Sequence, residues 1–315
     1  MKRVSPEKLW AWLQSRPTLD QMRAAYPEVW ESVEREISAI VERGKPEELR
    51  AYLERTPPAD FRRGRPGAKA MEALLRQHMA NLAVKKCCLA IASGVSRGKL
   101  RFNLFNGFIA QKLLFSRDLV RKPVSLAWFR LLWPLLWQRR RLMPLVQSKG
   151  IYCFYSRPLV AALAKLIAGR RAVEIAAGDG TLTRFLRERG VAIDASDDHS
   201  WKHVVSYPEW VMKRGVSKVL AQDSPEVVIC SWPPAGNDFE RLVFACPSVQ
   251  TYIVISSRLQ FASGNWTDYR QQRAFEFAED PALSRLVLPP ELEAAVYVFR
   301  RKANCGDGES VAGRS

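Results

Sequence analysis

The chain has 315 residues and a formal net charge of +17, with 47% hydrophobic and 26% charged residues. This length allows two domains, and the composition is that of a folded globular protein. Met1-Lys-Arg-Val is followed by polar sequence and the six cysteines form no C-x-x-C pair, so we expect a cytoplasmic protein with reduced thiols and neither a secretory signal nor a structural zinc.

Residues 1–60 have the spacing of amphipathic helices. Pro6 is typical of a first helical turn, and apolar residues recur at helical intervals from Leu9 to Val41. The segment holds 10 Lys and Arg residues against 11 acids, so it is nearly neutral. Residues 56–67, rich in Pro, Gly and Arg, predict a linker or an exposed loop. We therefore expect a helical module over residues 1–148.

The positive charge is confined to residues 61–150. This segment holds 19 Lys and Arg residues and two acids, whereas residues 151–315 hold 20 bases and 19 acids. Such confinement predicts an anionic partner. The same segment is rich in aromatic residues, which are Phe102, Phe105, Phe108, Phe115, Trp128, Phe129, Trp133 and Trp137.

The nearly apolar run from Ser125 to Trp137, followed by Arg139-Arg140-Arg141, has three interpretations. It is too short to span a bilayer, which needs about 20 residues. It can be a helical core that docks on the sheet with its basic side chains outward. It can be a cationic surface whose aromatic rings stack on nucleic acid, or an interfacial helix on an anionic membrane. We place nucleic acid slightly ahead of a membrane surface.

The stretch from Ala172 to Leu186, AVEIAAGDGTLTRFL, predicts a strand, a glycine turn and a helix. Val173–Ile175 form the buried strand, and residues 176–180 form the turn. A unit of this kind opens a nucleotide-binding crossover. Gly178 and Gly180 lack a Cβ, so the backbone can turn sharply and a ligand can lie against it.

The next predicted strand, residues 191–197, ends in an acid. A carboxylate at the position of Asp197 can accept hydrogen bonds from a ribose diol, although Asp197 or Asp198 can also cap the helix that follows. His199 and His203 have the i, i+4 spacing of metal ligands on a helix. No third protein ligand is evident, and we expect no metal.

Further strands are predicted around residues 210–212, 226–230, 251–256, 286–288 and 294–300, the last two as a hairpin-like antiparallel pair. The strand at 226–230 stops at Ser231-Trp-Pro-Pro-Ala-Gly236, because prolines cannot continue a central strand. In open α/β sheets ligands bind at such carboxyl ends. Residues 303–315 predict a flexible tail.

The pattern E-x-x-x-G-x-G from Glu174 to Gly180, followed by Asp197 and the Pro-Pro stretch, resembles the class I S-adenosylmethionine-dependent methyltransferases over about residues 149–302. The resemblance implies an α/β Rossmann-like domain with a doubly wound, mostly parallel sheet and an antiparallel edge. It implies S-adenosylmethionine as the cofactor and a covering segment with Tyr152 and Tyr155. The implied cofactor contacts are Glu174, Ala176, Gly178, Asp179, Gly180, Asp197 and Ser231.

The Pro-Pro stretch departs from the D/N/S-P-P-aromatic motif of amino-group methyltransferases. Trp232 occupies the polar position and Ala235 the aromatic one, so transfer to an amino group is not implied. The loop 231–238 is the candidate acceptor side, with Trp232 shaping the pocket and Asp238 as a base. Thr183, where a dinucleotide fingerprint needs a small residue, disfavours a nicotinamide-dependent oxidoreductase.

The sequence therefore predicts a methyltransferase of unknown acceptor. The alternative is a non-catalytic protein that binds the cofactor, nucleic acid or a membrane on the same scaffold.

Overall fold

The computed structural model describes residues 6–15, 17–43, 46–53, 68–86, 104–136, 139, 142–147, 149–202 and 204–303. The helices in these ranges are α1 (Pro6–Gln14), α2 (Leu19–Ala25), α3 (Pro27–Glu42), α4 (Pro46–Leu53), α5 (Ala68–Lys86), α6 (Leu104–Leu114), α7 (Leu126–Leu132), α8 (Leu142–Gln147), α9 (Arg157–Ile167), α10 (Thr181–Arg187), α11 (Val216–Asp223), α12 (Glu240–Ala245), α13 (Trp266–Gln271) and α14 (Pro281–Ser284). The strands are β1 (Phe154–Tyr155), β2 (Ala172–Ile175), β3 (Ile193–Asp197), β4 (Val211–Lys213), β5 (Val227–Ser231), β6 (Thr251–Ser257), β7 (Phe275–Glu279), β8 (Val287–Leu288) and β9 (Ala294–Arg301).

Seven strands form one sheet in the order β4-β3-β2-β5-β6-β9-β7. The first five pair in parallel, and β9 pairs antiparallel with both β6 and β7. The central strands β5 and β6 are buried over almost their whole length and have apolar centres, as expected of parallel strands that are covered on both faces. The predicted doubly wound, mostly parallel sheet with an antiparallel edge is confirmed.

The antiparallel edge is built from a different strand than the one predicted. Val287–Leu288 (β8) pairs with Phe154–Tyr155 (β1) in a separate two-stranded sheet. In the main sheet β9 pairs with β6 on one side and on the other with the edge strand β7, which the apolar pattern did not indicate. The predicted hairpin of residues 286–288 and 294–300 is therefore wrong. β7 is an edge strand that alternates Phe with Glu, whereas β8 is apolar because it is buried elsewhere.

Helices α1 to α5 have an apolar core of their own, which includes Met22, Val33, Ile37 and Met79. Leu259 and Phe261, which follow β6, belong to the same core and connect it to the sheet. Polar contacts support this connection. The backbone N of Gln260 donates to Glu34 Oε1 at 2.9 Å, and Arg23 Nη1 lies 2.6 Å from Glu293 Oε2. The helical prediction for the amino-terminal region is confirmed in the described residues.

The described residues between 104 and 147 contribute to the apolar core of the sheet. Leu114, Phe129 and Met143 belong to one cluster with Leu163 of α9 and Ile253 of β6. Apolar contacts therefore cross the predicted boundary at 148/149, and the division into domains 1–148 and 149–302 stays a prediction. The linker 56–67, the tail from residue 304, and Phe102, Trp137, Arg140 and Arg141 lie outside the described residues.

None of the described helices combines the length and the apolar character that crossing a bilayer requires. The described cysteines, Cys153, Cys230 and Cys246, are free thiols.

Candidate functional site

The carboxyl ends of β2 and β5 lie side by side where the strand order of the sheet reverses. On one side the order runs β2-β3-β4 and on the other β5-β6, so the loops after β2 and β5 diverge and leave a crevice, where open α/β sheets bind ligands. The glycine turn 176–180 follows β2, and Asp197 ends the adjacent β3. Ser231 ends β5. The structure thus brings the predicted cofactor residues to one edge.

The glycine turn holds three residues at positive φ: Ala176 at 46°, Gly178 at 57° and Gly180 at 64°. A Cβ on Gly180 would lie 2.8 Å from Val211 Cγ2 and closer still to the ring of Trp210, so a larger residue does not fit there. A Cβ on Gly178 would meet no atom within 4 Å. Gly178 therefore faces open space, and it is the point of the turn where a ligand can approach the backbone.

Asp197 reaches across from β3 and holds the glycine turn. Its Oδ2 accepts a hydrogen bond from Gly178 N at 3.0 Å, and its Oδ1 accepts one from His199 N at 2.9 Å. Burial, followed by the charge and a hydrogen bond of Asp197, raises the pKa of Tyr207. Because a carboxylate has about four acceptor positions, Asp197 retains capacity for a further donor. The exposed Asp198 accepts from Ser200 N at 2.8 Å.

Glu174 lies in β2 and binds the helix that follows the turn. Its side chain is 1% exposed, and its Oε2 accepts hydrogen bonds from Thr183 N at 2.9 Å and Thr183 Oγ1 at 2.6 Å. Burial raises the pKa of Glu174 to about 7, although the Thr183 hydrogen bonds act in the opposite direction. Glu174 therefore fixes the start of α10 against β2.

Asp179, near the end of the turn, pairs with a base that no local pattern distinguishes from the other bases of its segment. Arg121 is 6% exposed, and its Nη2 lies 2.6 Å from Asp179 Oδ1. Its Nη1 donates to Cys153 O at 2.9 Å, and its Nε is buried without a hydrogen-bond partner. Burial alone would raise the pKa of Asp179, but the Arg121 charge and hydrogen bonds to Thr181 hold it below its usual value.

The loop after β5 begins with a strained tryptophan. Trp232 has a φ of 60°, and its N donates to Ile255 O at 2.6 Å. Its ring stacks on Tyr152, with ring centroids 6.5 Å apart and an interplanar angle of 10°. Ser231 Oγ lies 2.7 Å from Tyr155 Oη. Tyr155 is buried, and burial raises its pKa, so this phenol is neutral. It packs in the core instead of forming a covering segment.

The two acids of this loop region differ in burial. The side chain of Asp238 is 84% exposed and lies 3.8 Å from Arg241, so its role as a base stays a prediction. Glu240, which the sequence pattern did not indicate, is fully buried, and burial raises its pKa. Its carboxylate accepts four hydrogen bonds, from Tyr252 Oη and Tyr269 Oη at 2.6 Å, Asn237 Nδ2 at 2.7 Å and Asn265 N at 2.8 Å.

A cavity lies apart from the crevice, and the predicted histidine pair supplies no set of metal ligands to it. An open cavity of about 450 Å³ is lined by Lys165, Arg170 and Arg189, among others, and it lies near the amino ends of β2 and β3. His199 stacks on Tyr207 with ring centroids 4.0 Å apart, and His203 lies outside the described residues. Within the described part of the chain, no three metal-ligating side chains group together.

No protein-family model and no curated protein matches this chain. Its structure is similar to solved methyltransferases. A tRNA (uracil-54, C5)-methyltransferase from Pyrococcus abyssi, in complex with S-adenosyl-L-homocysteine, is 15% identical over 46% of this chain and 37% of its own, with a TM-score of 0.32. The magnesium protoporphyrin IX methyltransferase of Synechocystis PCC 6803, with bound S-adenosyl-L-homocysteine, is 11% identical over 63% of this chain and 95% of its own, with a TM-score of 0.32. An S-adenosylmethionine-dependent O-methyltransferase of Thermotoga maritima is 12% identical over 53% of this chain and 73% of its own, with a TM-score of 0.30.

The fold is class I methyltransferase-like. This follows from the mostly parallel seven-stranded sheet with its antiparallel edge, and it agrees with the resemblance carried by Glu174, the glycine turn and Asp197.

Proposed function

We propose that the chain is an S-adenosylmethionine-dependent methyltransferase whose cofactor binds in the crevice between the loops that follow β2 and β5. The observation that carries the proposal is the open backbone at Gly178 beside the carboxylate of Asp197. A nucleoside needs a bare stretch of backbone to lie on and an acceptor for its ribose hydroxyls, and both stand at the reversal point of the sheet.

Some residues around the crevice contact the cofactor, and others support the loops that do so. Asp197 holds the ribose through its remaining acceptor capacity, and the backbone of residues 176–180 lies against the cofactor. Ser231 contacts the cofactor from the end of β5. Glu174 supports the turn through Thr183, since both of its hydrogen bonds end there.

Glu174 and Thr183 also favour S-adenosylmethionine over a dinucleotide as the ligand. Thr183 is fully buried and bonded to Glu174, and it occupies the position that a dinucleotide fingerprint gives to a small residue for close helix–strand packing.

Methyl transfer from a sulfonium is an in-line displacement, for which alignment of the acceptor and the methyl group is the main requirement. Trp232 and Tyr152 supply stacked rings on the β5 side, and aromatic faces attract a sulfonium cation. Burial raises the pKa of both Tyr155 and Cys153 beside Ser231, so neither supplies an anionic base. A base is needed only for an acceptor that arrives protonated, and Asp238 is the proposed group for that case.

Isothermal titration calorimetry with S-adenosylmethionine tests the cofactor site. Asp197→Ala should weaken binding by about 1.5–3 kcal/mol, the contribution of a hydrogen bond to a charged group, and Asp197→Asn should weaken it less. Asp198→Ala is the matched control, since this neighbouring acid is exposed and accepts a hydrogen bond from Ser200 N outside the glycine turn, and it should bind as the wild type does. Equal affinity of the wild type and Asp197→Ala would exclude the ribose role.

Labelled S-adenosylmethionine, incubated with the protein and fractionated cell RNA, DNA, protein, lipid and small molecules, tests turnover. Trp232→Ala should lower turnover on the labelled fraction, and Trp232→Phe, which keeps an aromatic face, should retain most of it. Unchanged turnover in Trp232→Ala would refute the acceptor-side role. Cofactor binding with no labelled product in any fraction would favour the non-catalytic alternative.

A further inference from the structure

Exposed large apolar side chains are concentrated between residues 105 and 135 in the described part of the chain. Ten such side chains are exposed among the described residues, and three of them, Trp10, Trp201 and Leu242, lie elsewhere. The other seven define what we call the outer face, and they are Phe105, Phe108, Leu119, Val120, Trp128, Leu131 and Leu135. Concentrated exposure of this kind marks an interaction surface, whereas single exposed apolar residues are normal.

The outer face is carried by two helices and the turn between them. Phe105 and Phe108 are three residues apart on α6, and helix positions three or four apart lie on one side. Trp128 and Leu131 have the same spacing on α7, and Leu135 continues it in the 3-10 turn that follows. The other sides of these elements are buried in the sheet's core, and α6 contacts α7. These exposed side chains are therefore not needed to hold the segment in place.

Positive charge accompanies the exposed apolar side chains. Residues 104–150 contain nine bases and one acid, Asp118. Lys112, Arg117 and Arg130 are exposed, and the Nζ of Lys112 lies 5.8 Å from the ring centroid of Phe108. Arg139 is instead paired with Glu291 at 3.3 Å. Exposed apolar side chains interspersed with bases are complementary to a surface that is anionic outside and hydrocarbon beneath.

The types of side chain distinguish a bilayer from nucleic acid. Binding to single-stranded nucleic acid relies on aromatic rings that stack on bases, and four of the seven side chains, Leu119, Val120, Leu131 and Leu135, are aliphatic. Aliphatic side chains gain from entering the acyl boundary, and Trp128 suits the headgroup level. We propose that the outer face binds the surface of an anionic lipid bilayer. This inference goes beyond the proposed function and does not depend on it.

Flotation of the full-length protein with vesicles, without cofactor, tests the proposal. Vesicles of phosphatidylcholine with 30% phosphatidylserine should carry the protein upward at about 0.15 M salt, and vesicles of pure phosphatidylcholine should carry much less. Replacing both Lys112 and Arg130 with Gln should weaken binding to the anionic vesicles by about fivefold for each lost charge. Failure of the wild type to bind the anionic vesicles would overturn the proposal.

Matched substitutions test whether the contact with the vesicle lies on the outer face. Leu131→Ser should weaken vesicle binding by about tenfold, because an apolar side chain no longer leaves water. Leu242→Ser, the same change at an exposed position on α12, should have no effect. Trp128→Phe should retain binding while it reduces fluorescence quenching by brominated lipids. Equal effects of Leu131→Ser and Leu242→Ser, or unchanged quenching in Trp128→Phe, would contradict the assignment.

The same variants separate the bilayer from the other occupants. Binding of a single-stranded oligonucleotide in place of vesicles, with affinity that falls with salt by a log–log slope of about −0.7 per neutralised phosphate, would replace the proposal with a nucleic-acid surface. A dimer in light scattering that Leu131→Ser dissociates, with no vesicle binding, would make the outer face a contact between two copies. Either outcome refutes the bilayer.

Discussion

Two loops flank the crevice at the carboxyl edge of the sheet, and a buried glutamate holds each of them in place. Glu174 holds the glycine turn through Thr183, nine residues further along the chain. Glu240 holds the region after β5 through four donors, of which Tyr252, Asn265 and Tyr269 lie 12 to 29 residues further on. Glu174 thus holds its loop through a local contact and Glu240 holds its loop through tertiary contacts, which predicts different responses to substitution of the two glutamates.

The largest effect is expected at Glu240. Glu240→Ala leaves two tyrosine hydroxyls, a side-chain amide and a backbone N–H without their acceptor in a buried site, and should lower the free energy of unfolding by about 3–5 kcal/mol. Glu240→Gln retains one acceptor oxygen and should cost less. Asp238→Ala, at an exposed acid of the same region, should change stability by less than about 0.5 kcal/mol. Urea denaturation measures all three, and equal costs for the two alanine variants would show that the four hydrogen bonds do not stabilise the loop.

Glu174 should make stability depend on pH. Its pKa of about 7 in the folded chain lies above the ordinary value of 4.5, so its stabilising contribution is fully present below pH 4.5 and is lost as the pH rises through 7. The wild type should lose up to about 3 kcal/mol from this group.

Glu174→Gln carries no titrating group at this position and should show a smaller loss between pH 5 and pH 8. The measurement is the free energy of unfolding of both proteins at the two pH values. If the two proteins lost the same free energy over this interval, Glu174 would not titrate as its burial requires.

The glycine turn could be predicted from the sequence because the residues that determine its geometry lie close together in the chain. Glu174, Gly178, Gly180 and Asp197 lie within 24 positions, and parallel pairing of β2 with β3 brings their carboxyl ends together. Glu240 gave no such signal, since its partners converge only in the folded chain. The pairing of Arg121 with Asp179 could not be predicted for the same reason, because the two residues lie 58 positions apart.

In the sheet, too, the sequence predicts burial of a strand better than it predicts the pairing partner. The buried central strands are apolar runs and were predicted, whereas β7 was missed because Glu276 and Glu279 interrupt its apolar pattern. β8 was assigned to the wrong sheet, because Val287 and Leu288 indicate burial but do not indicate a partner. The prolines that follow Trp232 predict the carboxyl end of β5 to within one residue, since the strand ends at Ser231 and the prediction ends it at Cys230.

Within the first loop, two glycines should respond differently to the same substitution. Gly180→Ala adds a Cβ against Val211 and Trp210 and should cost about 3 kcal/mol, from overpacking together with an unfavourable φ. Gly178→Ala meets open space and should cost only about 1 kcal/mol from its φ, while it weakens S-adenosylmethionine binding. Denaturation and calorimetry on both variants make the comparison. A larger loss of stability in Gly178→Ala than in Gly180→Ala would reverse the proposed roles.

The smallest effect is expected at Ala176, which holds a φ of 46° where glycine is unstrained. Ala176→Gly should raise the free energy of unfolding by about 0.5 kcal/mol, because relief of the left-handed conformation outweighs the greater freedom of glycine in the unfolded chain. Thermal unfolding should show a small rise in Tm. Ala177→Gly, at the neighbouring position without a positive φ, is the control and should be destabilising.

The turn between α6 and α7 is closed by the chain itself. Phe115 and Arg121 form an antiparallel bridge, Ser116 N donates to Val120 O at 2.9 Å, and Val120 N donates to Arg117 O at 2.8 Å. Just beyond the exposed Leu119 and Val120, the side chain of Arg121 is anchored on Asp179. A mobile loop that becomes ordered on contact with a partner loses about 1–2 kcal/mol of backbone entropy per residue. Here that entropy is lost when the protein folds, so the two apolar side chains are presented on a preorganised support.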